Sequence, residues 1–428
     1  MASGRSLSVR TDTLSVAGGV QPAFGAADAR SRVLLLQLVT LASEDLGVQG
    51  LRAEISGFAG AEVADRPALA PDREGDRVQG NLLVGLLRYA SPRNTLSLTL
   101  GRQYLFAGSG RAEHLDGLSC TYRTPWHLDL TVFGGRTSPW QLDPEVVQPQ
   151  DDERWYLSGY AVGGRLRTSV LEHAVASIGF LHEGHDTQTV RQDLTFDLGY
   201  FRSRLLEVTT GGIVEITVPA PQEIWVQLIS RPTNGLKISA DYSYLVPSLA
   251  IPRTSIFSVF ADDVSYHDAS LGVYYGLTPW LTAGVSGGIR LYPDVGDGLQ
   301  PGYTAGAELR LTAGAARLAG LEVELVDAVT ERQLQNRLFG LYRFGFGLYT
   351  SADLYLLLYD LDRDASPSVF GQRRDEHPIS VGGVGVLGYR ITPRLSAQLA
   401  GSAFTTAAAQ YDLRLMARLT FDGRWGNL

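Results

Sequence analysis

Period-two alternation of apolar and polar side chains runs along almost the whole chain, and it leaves the fold few options. In "DLTFDLGY", Leu194, Phe196, Leu198 and Tyr200 share one face, while Asp193, Thr195 and Asp197 share the other. "NTLSLTLG" sets Leu96, Leu98 and Leu100 against Thr95, Ser97 and Thr99, and "LKISADYSY" repeats the pattern from Leu236 to Tyr244. Successive side chains of a strand point to opposite faces, so each segment reads as a strand with one greasy and one wet side. Turn formers separate many of them: "SPRN" at 91–94, "TPW" at 124–126 and 278–280, "RPTNG" at 231–235 and "TPR" at 392–394. Longer polar stretches, Ala64–Arg77, Thr137–Arg154, Val246–Asp262 and Asp360–His377, separate others. No segment reads as a helix or a domain linker.

The pattern predicts about 22 strands, with 18 to 22 as the range. Among them are 154–168, 262–276, 335–346 and 409–421. So many adjacent greasy faces need either a second layer or lipid. A propeller would show blade-length repeats, which are missing, and a sandwich rarely holds this many strands of ten or more residues. A closed barrel pairs every backbone donor and acceptor internally, as lipid requires. The expected fold is therefore all-β: a single transmembrane antiparallel β-barrel over 1–428, with no separate plug domain. Short turns would be periplasmic and longer loops extracellular, with Tyr89, Trp126, Tyr244, Tyr274, Trp280 and Tyr389 as interfacial belts.

The longest apolar run, "VLLLQLVTLA", is about half of what a membrane helix needs. "MASGRSLSVRTD" lacks the apolar core of a secretory signal. The net charge of −8 gives no general attraction to nucleic acid. Cys120 is the lone cysteine, the histidines form no ligand cluster, and no nucleophile elbow, phosphate loop or zinc-protease motif occurs. Neither an enzyme, a cofactor nor a metal site is expected.

The whole pattern resembles Gram-negative outer-membrane β-barrels of porin or export-channel type. The last strand, "YDLRLMARLTF", is similar to their C-terminal assembly signal, with Tyr411, Leu413, Leu415, Leu419 and Phe421 on alternate positions. It departs from that signal in the seven residues that follow Phe421. "LGRQYLFAGSG" weakly resembles a segment of alginate-export-like channels. The resemblance implies an outer-membrane location, with outer-membrane lipid and lipopolysaccharide as surroundings.

If the greasy faces meet lipid, parity assigns the lumen face. It takes in Asp129, Arg165, Asp197, Lys237, Asp241, Arg290, Glu308, Arg310, Glu322, Glu324, Arg414 and Arg418. Positive and negative residues balance, so no strong ion preference follows. Arg414 and Arg418 could start a basic ladder; keeping a wet wall wet is the simpler reading. A 22-stranded barrel has a backbone diameter on the order of 45 Å, wide enough to leak if empty. Three functions follow: a transport pore for hydrophilic solutes or an exported polymer, a sheath around a lumenal or periplasmic protein partner, or a structural or adhesion barrel. The barrel component of porin–cytochrome conduits, which encloses a multihaem cytochrome, is the model for the second.

Overall fold

A computed structural model describes residues 6–22, 30–44, 46–63, 78–106, 108, 112–138, 159–185, 188–202, 205–246, 265–293, 298–328, 331–361, 379–405 and 409–426. Most of the four long polar stretches lies outside these residues. The first strands are β1 (Ser6–Pro22), β2 (Arg30–Ser43), β3 (Leu51–Val63), β4 (Val78–Ala90), β5 (Leu96–Phe106) and β6 (Ala112–Arg123). They continue with β7 (Leu128–Thr137), β8 (Gly159–Thr168), β9 (Ala174–His185), β10 (Gln188–Arg202) and β11 (Leu206–Glu215). Next come β12 (Ala220–Thr233), β13 (Leu236–Leu245), β14 (Tyr266–Thr278), β15 (Leu281–Tyr292), β16 (Gln300–Ala313) and β17 (Arg317–Asp327). The last are β18 (Glu331–Arg343), β19 (Leu348–Leu361), β20 (Ile379–Thr392), β21 (Leu395–Thr405) and β22 (Ala409–Gly426).

Each strand pairs antiparallel with its chain neighbours, and β1 pairs with β22 from Ser6↔Gly426 to Pro22↔Ala409. The sheet is therefore a closed 22-stranded barrel. Every expected strand has its counterpart, and the differences lie at the ends. β8 is described from Gly159 and β14 from Tyr266, and the expected residues 154–158 and 262–264 lie outside the described residues. β18 stops at Arg343 because the chain turns through 344–347, where Gly347 has φ +87, a conformation that side chains disfavour. β22 runs on to Gly426, past Phe421.

Alternation places the apolar side chains on the convex surface. Leu309, Leu321, Leu338 and Leu354 stand abreast across β16–β19 and are 44–53% exposed. Exposed aromatics mark both rims of this band. Tyr122, Trp126, Tyr275, Trp280 and Tyr389 lie at the short-turn end, with Tyr104, Tyr160, Tyr242 and Tyr303 toward the opposite end. Tyr274 corrects the expected belt. It stands opposite Lys237 and Gly284 on the concave face, and its ring occupies the space that a Cβ at Gly284 would need.

Cys120 lies on the convex parity between Leu118 and Tyr122, opposite Leu98 and Val132. In the bilayer-embedded barrel a membrane-impermeant maleimide is expected to leave it unmodified, and denaturation to expose it. Rapid labelling of the folded protein would reverse the assignment of faces.

Candidate functional site: the inner wall

The concave face is identified by contacts that skip strands, since only a concave surface brings non-neighbouring strands together. Arg165 on β8 donates to Ser177 (2.9 Å) on β9 and to Asp197 (3.2 Å) on β10. Leu105, Leu115, Phe133, Ala161 and Leu181 pack together from five successive strands on the same parity.

All twelve candidate residues have this parity. Most of their charges are matched by a neighbour. Arg123 pairs with Asp129 at 3.7 Å, Arg290 with Asp268 at 2.7 Å and Arg310 with Glu308 at 2.5 Å. Glu308 and Glu322 stand directly opposite each other, a repulsive register. Arg310 and Arg337 relieve it, because Arg337 binds Glu322 at 3.0 Å and Asp353 at 2.6 Å. Gln227 donates to Asp241 at 2.8 Å, and Glu324 faces Gln335. Lys237, the chain's single lysine, holds its ammonium 5.0 Å from the centre of the Tyr274 ring.

Arg414 and Arg418 do not make a basic ladder. Arg414 binds Asp412 on its own strand at 2.7 Å, while Arg418 reaches across the closing seam to Asp12 at 2.9 Å. Thr420 adds a hydroxyl donor to Asp12 at 2.5 Å. The partners Asp12, Asp268, Arg337 and Asp353 were missed by sequence reading, although alternation carries the signal. In "RQLQNRLFG", for example, Gln333, Gln335 and Arg337 alternate with Leu334, Asn336 and Leu338.

One sector of the wall is bent far more sharply than the rest. Arg191 on β10 binds Glu113 on β6, four strands away, as well as Glu183 (3.4 Å) and Asp193 (3.3 Å). Four strand spacings amount to about 19 Å along the wall, more than an arginine and a glutamate can bridge on a gentle arc. The residues facing inward explain the bend. Gly101, Gly117, Gly135 and Ala161 stand in register across β5–β8, the smallest side chains on the side that must be compressed. A Cβ on Gly117 would lie 2.2 Å from the carbonyl oxygen of Gly134, and one on Gly135 2.6 Å from the Cα of Gly117. The corner is closed by Leu115 and Leu181, 0% and 1% exposed, with the charge cluster beside them. Gly108, just beyond β5, lies against Thr195 on β10.

The inner wall is not wet throughout. From β20 round to β2 it presents Val384, Val386, Ala400, Phe404, Met416, Leu14, Val16, Leu36 and Leu38. On the convex side of β1 the same stretch shows Thr11, Thr13 and Ser15, and Thr13 donates to Gln37 at 2.6 Å. These inward apolar side chains stand among the paired charges Asp412, Arg414, Arg418 and Asp12, and only on the middle of β1 is the convex side the more polar one.

A closed barrel with an apolar convex band and aromatic rims defines the class: a transmembrane β-barrel of the outer-membrane type. No protein-family profile and no curated protein matches the chain. Among solved structures it is similar to Pseudomonas aeruginosa OpdK with vanillate, at 10% identity and a TM-score of 0.47, covering 98% of this chain and 99% of that one. P. aeruginosa OccK7 (OpdD) gives 12% and 0.47 over 99% and 100%; Acinetobacter baumannii OccAB4 gives 8% and 0.46 over 98% of each. At these scores the class rests on the barrel itself.

Proposed function

We propose that the protein is an outer-membrane channel for small hydrophilic solutes, with its short-turn end in the periplasm. The supporting observation is the inner wall. Over most of its circumference it carries charged residues of both signs, paired side by side, which keep water in the lumen without imposing one sign on the path. Such a lumen passes solutes with little charge discrimination. The pinched β6–β10 corner narrows a cross-section that would otherwise be wide.

Reconstituted in planar bilayers, the purified barrel is expected to give steady conductance with weak preference between cations and anions. Lys237 provides a second readout, since a small water-soluble acylating reagent should modify it from the lumen. A protein that neither conducts nor admits such a reagent to Lys237 is not an open channel. Orientation is tested by a cysteine at Arg93 in the first proline turn: labelling from outside intact cells would invert it.

A sheath around a lumenal protein is the second reading, and the inward-facing apolar side chains between β20 and β2 favour it. A polypeptide docked there would cover side chains that gain nothing from facing water. On this reading the isolated barrel leaks heavily, and the leak closes when a partner recovered from native membranes in fixed ratio is restored. Recovery of the barrel alone, with modest stable conductance, removes this reading.

A further inference from the structure

On the convex face near the short-turn end, a recess of about 530 Å³ lies between Trp280, Leu311, Ala319, Gly340, Tyr342 and Ala352. Register shows how it forms. Ala319, Gly340, Ala352, Gly385 and Gly401 follow one another across β17–β21, a trough of minimal side chains. The leucine row from Leu309 to Leu354 forms one bank. Tyr342, Thr350, Leu387 and Leu399 form the other. A Cβ at Gly385 would meet nothing within 4 Å, so the trough is open to the membrane.

Arg317 stands at the rim of this recess, on the same convex parity as Leu311 and Ala319. Its guanidinium lies 5.2 Å from the centre of the Tyr342 ring, and among the described residues no carboxylate is paired with it. A cation at the edge of an apolar groove, flanked by Trp280 and Tyr342 at interfacial depth, is complementary to one chemistry: a phosphate attached to an acyl chain. We propose that the recess holds an acyl chain of a glycerophospholipid whose phosphate is bound by Arg317. The lipid then fills space that the small side chains leave empty, and the aromatic pair fixes its depth.

The test uses the purified full-length barrel, delipidated in mild detergent and mixed with dioleoyl phosphatidylglycerol, then read by native mass spectrometry. One phospholipid per barrel should survive activation that strips the rest. Arg317→Gln should weaken its retention about fivefold. Gly340→Leu should abolish it by filling the trough. A Cβ at Gly340 meets only the Leu318 carbonyl oxygen, at 3.6 Å, so this variant should fold; heat-dependent gel mobility verifies that. Arg93→Gln, in an exposed turn, should behave as wild type. Equal retention in all variants, no retained phospholipid in the wild type, retention of lipopolysaccharide in its place, or a second barrel on this face would each overturn the proposal. Both substitutions lie outside the lumen, so conductance is unchanged in either, and the outcome is separable from the solute-channel reading.

Discussion

Leu338→Arg is expected to destabilise the bilayer-embedded barrel by roughly 2–4 kcal/mol, the cost of a guanidinium on the lipid face near the midplane. Leu338 is 53% exposed at the middle of β18, between Leu321 and Leu354, so no neighbouring strand offers a carboxylate in the same row. The control is Gln335→Arg, three residues away on the concave face. There the new cation would stand opposite Glu324, with an expected effect within about 0.5 kcal/mol. Reversible denaturant unfolding from lipid vesicles measures both. Equal sensitivity at the two positions would mean that the inner face of β18 is covered, which would move the balance toward a lumenal partner.

The second large effect concerns the pinched corner. Arg191 is 11% exposed and binds Glu113, Glu183 and Asp193 together. Arg191→Met keeps much of the volume but leaves three acidic groups around a site that no longer holds a cation. Breaking a buried ion network in this one-sided way costs roughly 3–5 kcal/mol. Since Arg191 links β10 to β6, the corner should also open, and single-channel conductance should rise as stability falls. A stability loss below about 1 kcal/mol with unchanged conductance would show that the glycine row alone sets the bend.

Much of this barrel is legible in the sequence because its two physical requirements are local. Alternation and turn chemistry are properties of ten-residue windows, and they locate all the strands. What escapes such windows is whatever depends on pairing. "LYRFGFGLY" alternates as well as any strand, yet the chain turns through 344–347, so β18 ends before its alternation does. Parity by itself could not tell that Arg414 and Arg418 are neutralised, because one partner, Asp12, is more than 400 residues away. In "VLLLQLV" both faces are apolar, and the inward-facing leucines of β2 become visible only through their register with β1. The corner at β6–β10 is hidden for the same reason: its glycines are scattered in sequence and meet only across strands.

The β1–β22 seam sets the order of events in assembly. β1 is made before the twenty strands that separate it from β22, and both are long, at 17 and 18 residues. Until β22 arrives, β1 carries an unsatisfied hydrogen-bonding edge that invites pairing with another molecule. Contacts this distant are also slow to find each other. The interval between making β1 and closing the ring is therefore the period of greatest danger for the nascent protein, and a chaperone that shields the edge of β1 would do most of its protecting there. The Asp12–Arg418 pair, formed only at closure, latches the ring shut at the moment the exposure ends.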